Sequence, residues 1–245
     1  MLRRLLIAVA LIVATAAPAF AQVTLNANTT SEASGSGITQ LDLTTLTVAA
    51  GSNRCLLATL LLDTANDTPT LTWDNGGTNQ SMTSIGSIAT GSGAVHFFGR
   101  IAPTTGNLTL RASWATSQGA MLHALAFNGC DQTGGTTTFA HFTSDTQSSA
   151  TPTIVITSAA NNFTVGVAVS SNDPTTPTQT ENFFNDLIGF SSDGSRAAGA
   201  ATVTHQWSLT STTWETIGVD IVAAAGGGGG PTCRADLLLH GAGGC

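Results

Sequence analysis

The sequence predicts an all-β protein, a two-sheet antiparallel β-sandwich of jelly-roll type with about a dozen strands. Three observations predict it. Apolar and polar residues alternate with period two in segment after segment, and the β-branched residues Thr, Val and Ile abound. Gly, Asn, Asp and Pro punctuate these runs roughly every 8 to 15 residues. No segment beyond the first twenty or so residues carries the 3.6-residue apolar stripe of an amphipathic helix. One-sided strands in this number need a second sheet to cover their apolar faces, because a single flat sheet would leave them wet.

In chain order, Arg3 and Arg4 followed by the apolar run Leu5 to Ala16 and by Ala19-Phe20-Ala21 have the charge, length and small-residue pattern of a signal peptide. The run is too short to span a bilayer. Cleavage after Ala21 is therefore expected, with residues 1–21 removed, residues 22–225 as the β-sandwich domain, and a secreted, periplasmic or cell-surface location. No later segment is long and apolar enough to predict a membrane span.

Strands are expected at Val23 to Asn28, Thr39 to Val48 and Arg54 to Leu62. The stretch Cys55 to Leu62 is apolar on both faces, which marks a central strand covered on each side. Strands follow at Thr70 to Trp73, Met82 to Ile88 and Ala94 to Ile101. In the next, Asn107 to Ala115, Leu108, Leu110, Ala112 and Trp114 share a face. Ala120 to Asn128, Thr153 to Thr157, Asn162 to Ser170, Ala201 to Thr210 and Trp214 to Ala223 complete the set. The last two read as a hairpin around Ser211 to Thr213, with Val203, Trp207 and Leu209 on the face of Ile217, Val219 and Ile221. Cys130 to Pro152 and Asn172 to Ala200, rich in Thr, Ser, Gly and Asp, read as long loops and as places to look for a site. Gly226 to Gly230 with Pro231 forms a linker (226–231), and residues 232–245 form a Cys-bounded tail.

Several of these segments resemble a recurrent β-sandwich domain of exported bacterial and phage-associated proteins. The matching residues are Ser52-Asn53-Arg54, Leu71 to Gly77 with Ser81-Met82-Thr83, Phe97 to Pro103 with Leu108 to Leu110, Ala126 to Gln132, and Trp214 to Val222. The resemblance spans most of residues 40 to 223. It implies a jelly-roll sandwich and supplies no catalytic residues.

Composition narrows the partners. Charged residues make up 9% of the chain, with 7 basic against 14 acidic residues; every basic residue is Arg, and Tyr is absent. Phosphate neutralisation needs a clustered basic face, so nucleic acid is excluded as a partner. A surface of hydroxyls and amides suits neutral polymers or other protein copies.

The candidate chemistry is sparse. Four Cys in an oxidising compartment allow three pairings. Cys233 with Cys245 would close a short loop in the tail, and Cys55 with Cys130 would be either a bridge or two buried hydrophobes. His96, His123, His141, His205 and His240 show no metal-ligand spacing, and His123 shares the apolar side of Met121, Leu125 and Phe127, as a core histidine would. Ser36 lacks the G-x-S-x-G elbow, and His240-Gly241-Ala242-Gly243 lies beyond the linker. Most acids sit in turns, where Asp caps its own backbone. Asp173, Glu181, Asp186 and Asp193, with Asn172, could donate oxygens to calcium, though without a recognisable ligand loop; no other cofactor is expected. Trp73 and Trp114 alternate in phase with core residues. Trp214, placed beside Thr216 and Asp220 on the outer face, is the candidate ligand-contacting ring, with cover for a loop as its alternative role.

These readings give an exported, non-catalytic binding or surface structural module with neutral glycan as ligand. The alternatives are a virion or cell-surface assembly component and a carbohydrate-active hydrolase or lyase, the last requiring paired carboxylates.

Overall fold

The computed structural model describes residues 21–26, 31–63, 67–89, 93–187 and 190–225. All but the last residue of the expected signal peptide, the glycine linker, and the tail with its expected Cys233–Cys245 pairing lie outside the described residues.

The protein is all-β and antiparallel, as the period-two pattern requires. Its strands are β1 (Thr24–Leu25), β2 (Ser31–Leu43), β3 (Thr47–Val48), β4 (Cys55–Leu62), β5 (Thr70–Trp73), β6 (Gln80–Ser81), β7 (Thr83–Ala89), β8 (Ala94–Ile101), β9 (Gly106–Asn107) and β10 (Leu110–Asn128). One helical turn, α1 (Gly135–Thr138), precedes β11 (Phe139–Ser149), β12 (Thr153–Thr157), β13 (Phe163–Ser170), β14 (Thr180–Leu187), β15 (Phe190–Ala198), β16 (Thr202–Gln206) and β17 (Thr212–Ile221).

A first sheet runs β6-β5-β10-β4-β8-β7, with β1 and β2 also paired to β10; a second runs β11-β17-β13-β15-β14. The two pack face to face. Leu57, Leu61, Val95, Phe97, Met121, Leu125 and Phe127 of the first sheet share one buried cluster with Val165, Val167, Val169, Ile217, Val219 and Ile221 of the second. All eight residues of β4 are buried, as its two-faced apolar run predicts. Its other face, Leu56, Ala58, Leu60 and Leu62, lies in a separate cluster with Leu41, Leu43, Leu71, Trp73, Leu110, Ala112 and Trp114.

That second cluster exists because β10 is one bent strand where the sequence suggests two. Its start pairs with β5 and its end with β4, while β2 follows it on the opposite edge through register shifts between Ser113 and Ala120. The first sheet thereby curls over itself and covers the outer face of β4. Trp73 and Trp114 are buried here as expected, their indole N–H groups donating to the carbonyls of Thr104 (2.9 Å) and Ile38 (3.0 Å).

Both expected long loops contain strands. Cys130 to Pro152 holds β11, and Asn172 to Ala200 holds β14 and β15. The sequence Phe190-Ser191-Ser192-Asp193-Gly194-Ser195 is buried throughout yet nearly without apolar side chains. Room for bulk is lacking on its core face, where a Cβ on Gly194 would collide with the Phe183 ring and Ser192 abuts Met121.

The expected hairpin between Ala201 to Thr210 and Trp214 to Ala223 does not form. β16 pairs instead with β12, Val203 opposite Ile156, in a two-stranded ribbon separate from both sheets. The facing of Ile217, Val219 and Ile221 into the sandwich stands, but their supposed partners belong to a third layer.

Cys55 and Cys130 form a disulfide, with both residues fully buried at the sandwich core. On the chain-entropy account a bridge across 75 residues of separation stabilises the fold by about 4 kcal/mol. Replacing both, Cys55→Ala with Cys130→Ala, should lower the unfolding free energy in urea by about that amount and leave the β signature of the far-ultraviolet circular dichroism intact.

Candidate functional site

The outer face of the second sheet brings the unusual side chains together. Alternation along each strand sends Thr164, Gly166, Ala168 and Ser170 of β13 outward, with Ser191, Asp193 and Ser195 of β15 and Trp214, Thr216, Gly218 and Asp220 of β17. Register then lines these residues up in rows across the strands. One row reads Asp145, Thr216, Ala168, Asp193, Phe184, and the next Gln147, Trp214, Ser170, Ser191.

The ribbon β12–β16 lies on this face and is keyed into it by a glycine pair. Gly166 and Gly218 are cross-strand neighbours. A Cβ on Gly218 would come within 2.6 Å of Ile156 Cδ1, and one on Gly166 within 2.8 Å of the His205 ring. Only glycine leaves room for both ribbon side chains. Ile154 and Trp207 close over Ala168 in a small cluster of their own.

What the ribbon seals is polar. His205 bridges Ser195 Oγ (2.8 Å to Nδ1) and Thr164 Oγ1 (3.0 Å to Nε2), all three fully buried. A neutral imidazole suits this bridge, one nitrogen donating and the other accepting, and burial pushes its pKa down to about 4. Asp220 accepts from Ser158 Oγ (2.6 Å) and Asn162 Nδ2 (2.7 Å), with its pKa raised by burial. Asp193 is different: it is 0% exposed, and neither carboxyl oxygen has a hydrogen-bond partner. Burial first, then the charge of Glu181, pushes its pKa up to about 7. The Trp207 indole N–H points to the carboxyl closely enough to oppose that shift, but outside the geometry of a well-formed hydrogen bond.

Beside the ribbon, between β11 and β12, the same face opens into a shallow groove of about 630 Å³. Thr143, Ser144, Asp145, Gln147, Ser149, Thr151, Thr153 and Val155 line it. Val155 is 54% exposed. Asp145 accepts from the Gln147 amide (2.7 Å) and the Thr146 N–H (2.9 Å). Trp214 is in the groove's lining, on the outer face with Thr216 and Asp220 as expected, but only 2% of it is exposed. Its Nε1 donates to Ser149 Oγ (3.0 Å). Trp214 thus supports the groove floor and offers no stacking platform.

Of the four expected calcium donors, the three whose side chains are described, Asp173, Glu181 and Asp193, do not form one cluster. Asp173 accepts from Ser191 Oγ (2.5 Å), Glu181 is exposed, Asp193 lies under the ribbon, and the Asp186 side chain is outside those described. No group of three or more His, Cys, Asp or Glu able to hold a metal occurs among the described residues. His123 lies in the sandwich core as expected, its ring 4.0 Å from that of Phe183 and its Nε2 without a hydrogen-bond partner. Burial, with the Arg196 charge second, pushes its pKa down to about 3.

Sequence reasoning passed over His205, Ser195 and the Gly166–Gly218 pair. A signal was present: Val165-Gly166-Val167 and Ile217-Gly218-Val219 both put glycine where the outward residue of a strand should be, and such a glycine marks close approach of another segment. Comparison with protein-family models, curated proteins and solved structures finds no match for this chain.

Two predictions follow from the buried groups and from the ribbon's seat. An unfolded histidine titrates near pH 6.5 and takes up its proton before His123 or His205 can. Stability should therefore fall as pH drops below about 6.5, each histidine adding about 1.4 kcal/mol per pH unit down to its folded value. Asp193 acts oppositely, lowering stability as pH rises from its unfolded value toward about 7. Urea unfolding of His205→Gln at pH 4.5, 5.5 and 6.5 should show a shallower acid slope than the wild type. Gly218→Val should cost about 1–3 kcal/mol by driving its side chain into Ile156, read as a lower urea midpoint at unchanged m-value.

Proposed function

We propose that this protein is an exported, non-catalytic binding module whose β11–β12 groove holds a neutral, hydroxyl-rich ligand such as a glycan. The observation that carries the reading is the groove's lining: Thr143, Ser149, Thr151 and Thr153 with their hydroxyls and Gln147 with its amide, and Val155 as an exposed apolar contact. Such groups donate and accept in the manner of a sugar's own hydroxyls, and Val155 covers the apolar side of a ring. Asp145 brings one carboxylate, already engaged by its neighbours, whereas glycoside hydrolysis uses a facing pair. Binding is therefore favoured over the hydrolase or lyase reading. Export is supported by the Arg3-Arg4 and Ala19-Phe20-Ala21 pattern together with the buried Cys55–Cys130 bridge, a bond that persists in oxidising compartments.

The second reading, a surface assembly component contacting other protein copies, is favoured by Phe184. It is 40% exposed on β14, the end strand of the second sheet.

A glycan array probed with residues 22–225 tests the first reading. We expect retention of a neutral oligosaccharide that Val155→Arg and Gln147→Ala each weaken tenfold or more. Retention of no neutral glycan, or binding that both substitutions leave unchanged, would overturn the groove as the site.

A further inference from the structure

We propose that the β12–β16 ribbon is a proton-controlled cover, closed over Asp193 while that carboxyl carries its proton and lifted from the sheet when the carboxyl ionises. The geometry beneath the ribbon supports this independently of any ligand in the groove. Asp193 has no exposure and no hydrogen-bond partner on either oxygen, and the Trp207 Nε1 and Thr216 Oγ1 atoms on the same face are equally buried and unpartnered. A protonated carboxyl tolerates such a place at modest cost, whereas an ionised one left dry and unpaired costs several kcal/mol.

Among the described residues, no neighbouring cation offsets that cost. From β14 comes Glu181, whose charge adds repulsion, and from β13 the uncharged Thr164, Gly166, Ala168 and Ser170 face outward. From β16 comes His205, already bonded on both nitrogens to Ser195 and Thr164. Asp220 on β17 is tied to Ser158 and Asn162, and Asp173 in the segment after β13 is bonded to Ser191. Arg196, on β15 itself, alternates with Asp193 to the opposite side and is bonded to Asn182 on β14.

The Trp207 indole N–H is the one described donor that favours the ionised form, and a single N–H leaves most of the carboxylate unsolvated; ionisation therefore calls for water, and the ribbon is the layer that can yield to admit it. β15 is held along its length by ladders to β13 and β14. The ribbon is a separate two-stranded sheet, held to the rest by loop hydrogen bonds such as Thr178 N–H to Gln206 O and by the seats of Ile156 and His205. A two-stranded ribbon is marginal alone, so its local opening costs less than breaking the five-stranded sheet.

Amide hydrogen exchange of the full chain between pH 4 and 9, corrected for intrinsic base catalysis and run on the wild type beside Asp193→Asn, tests this. Ribbon protection at Thr153–Thr157 and Thr202–Gln206 in the wild type, relative to Asp193→Asn at the same pH, should fall about tenfold for each pH unit from the free carboxyl value of about 4 up to about 7 and level off above. Opening releases a proton only while the closed carboxyl still holds one. Val165 to Val169 of β13 should stay protected throughout. The isosteric Asp193→Asn should keep the ribbon protected and pH-independent above about pH 6.5, leaving below it only the acid loss that protonation of His205 brings. A ratio of wild-type to Asp193→Asn ribbon protection that is flat between pH 4 and 7, or an equal fall in β13, would each overturn the proposal.

Discussion

An antiparallel strand that is apolar on both faces must be covered twice, and β4 imposes that requirement on the rest of the molecule. One face of Cys55–Leu62 is met by the second sheet, which creates the sandwich. The other is met by the first sheet's own far half, which is why β10 must run for 19 residues and bend. The disulfide sits at the start of β4 and joins it to the residue just past β10, so the two strands that carry both cores are also tied covalently. The second sheet inherits the complementary problem. Its inner face is supplied by the sandwich, and its outer face is polar along β13, β15 and β17, so it is closed by a ribbon seated on glycines.

That division shows where the sequence was legible. Period-two alternation identified the all-β class, and the doubly apolar Cys55–Leu62 run correctly marked a strand buried on both sides. Trp73 and Trp114 went to the core because their phase with Leu71 and Leu110 leaves no other place. Parity on β17 also held, since Ile217, Val219 and Ile221 face the sandwich whichever strand lies alongside.

The readings that failed did so for one physical reason: alternation reports apolar against polar, and parts of this protein are buried without being apolar. In β15 the core-facing Ser192 and Gly194 are small because Met121 and Phe183 fill their space, while the outward Ser191, Asp193 and Ser195 face a sealed polar layer. A strand with polar or vanishing side chains on both faces reads as a loop. In β14 the register shift between Glu181 and Phe183 puts Phe183 inward and Phe184 outward in succession, which erases the alternation. Trp214 was assigned to the correct face, but burial of that face depends on a ribbon that pairs β16 with β12, a partnership between segments almost fifty residues apart. The groove, the His205 bridge and the isolated Asp193 all follow from that third layer, and none has a local signature beyond the two outward glycines.

The seating of the ribbon is accordingly the claim on which the account of both groove and buried carboxyl rests, because β12 forms one wall of the groove and β16 leads into the Trp207 cover. Proton–proton distances from nuclear Overhauser spectra of the folded domain near pH 6 measure it directly. The account predicts strong cross-peaks between the Gly166 α-protons and the His205 ring, and between the Gly218 α-protons and the Ile156 δ-methyl. Cross-peaks that instead connect β16 to β17 across a Ser211 to Thr213 turn, with none at either glycine, would contradict it.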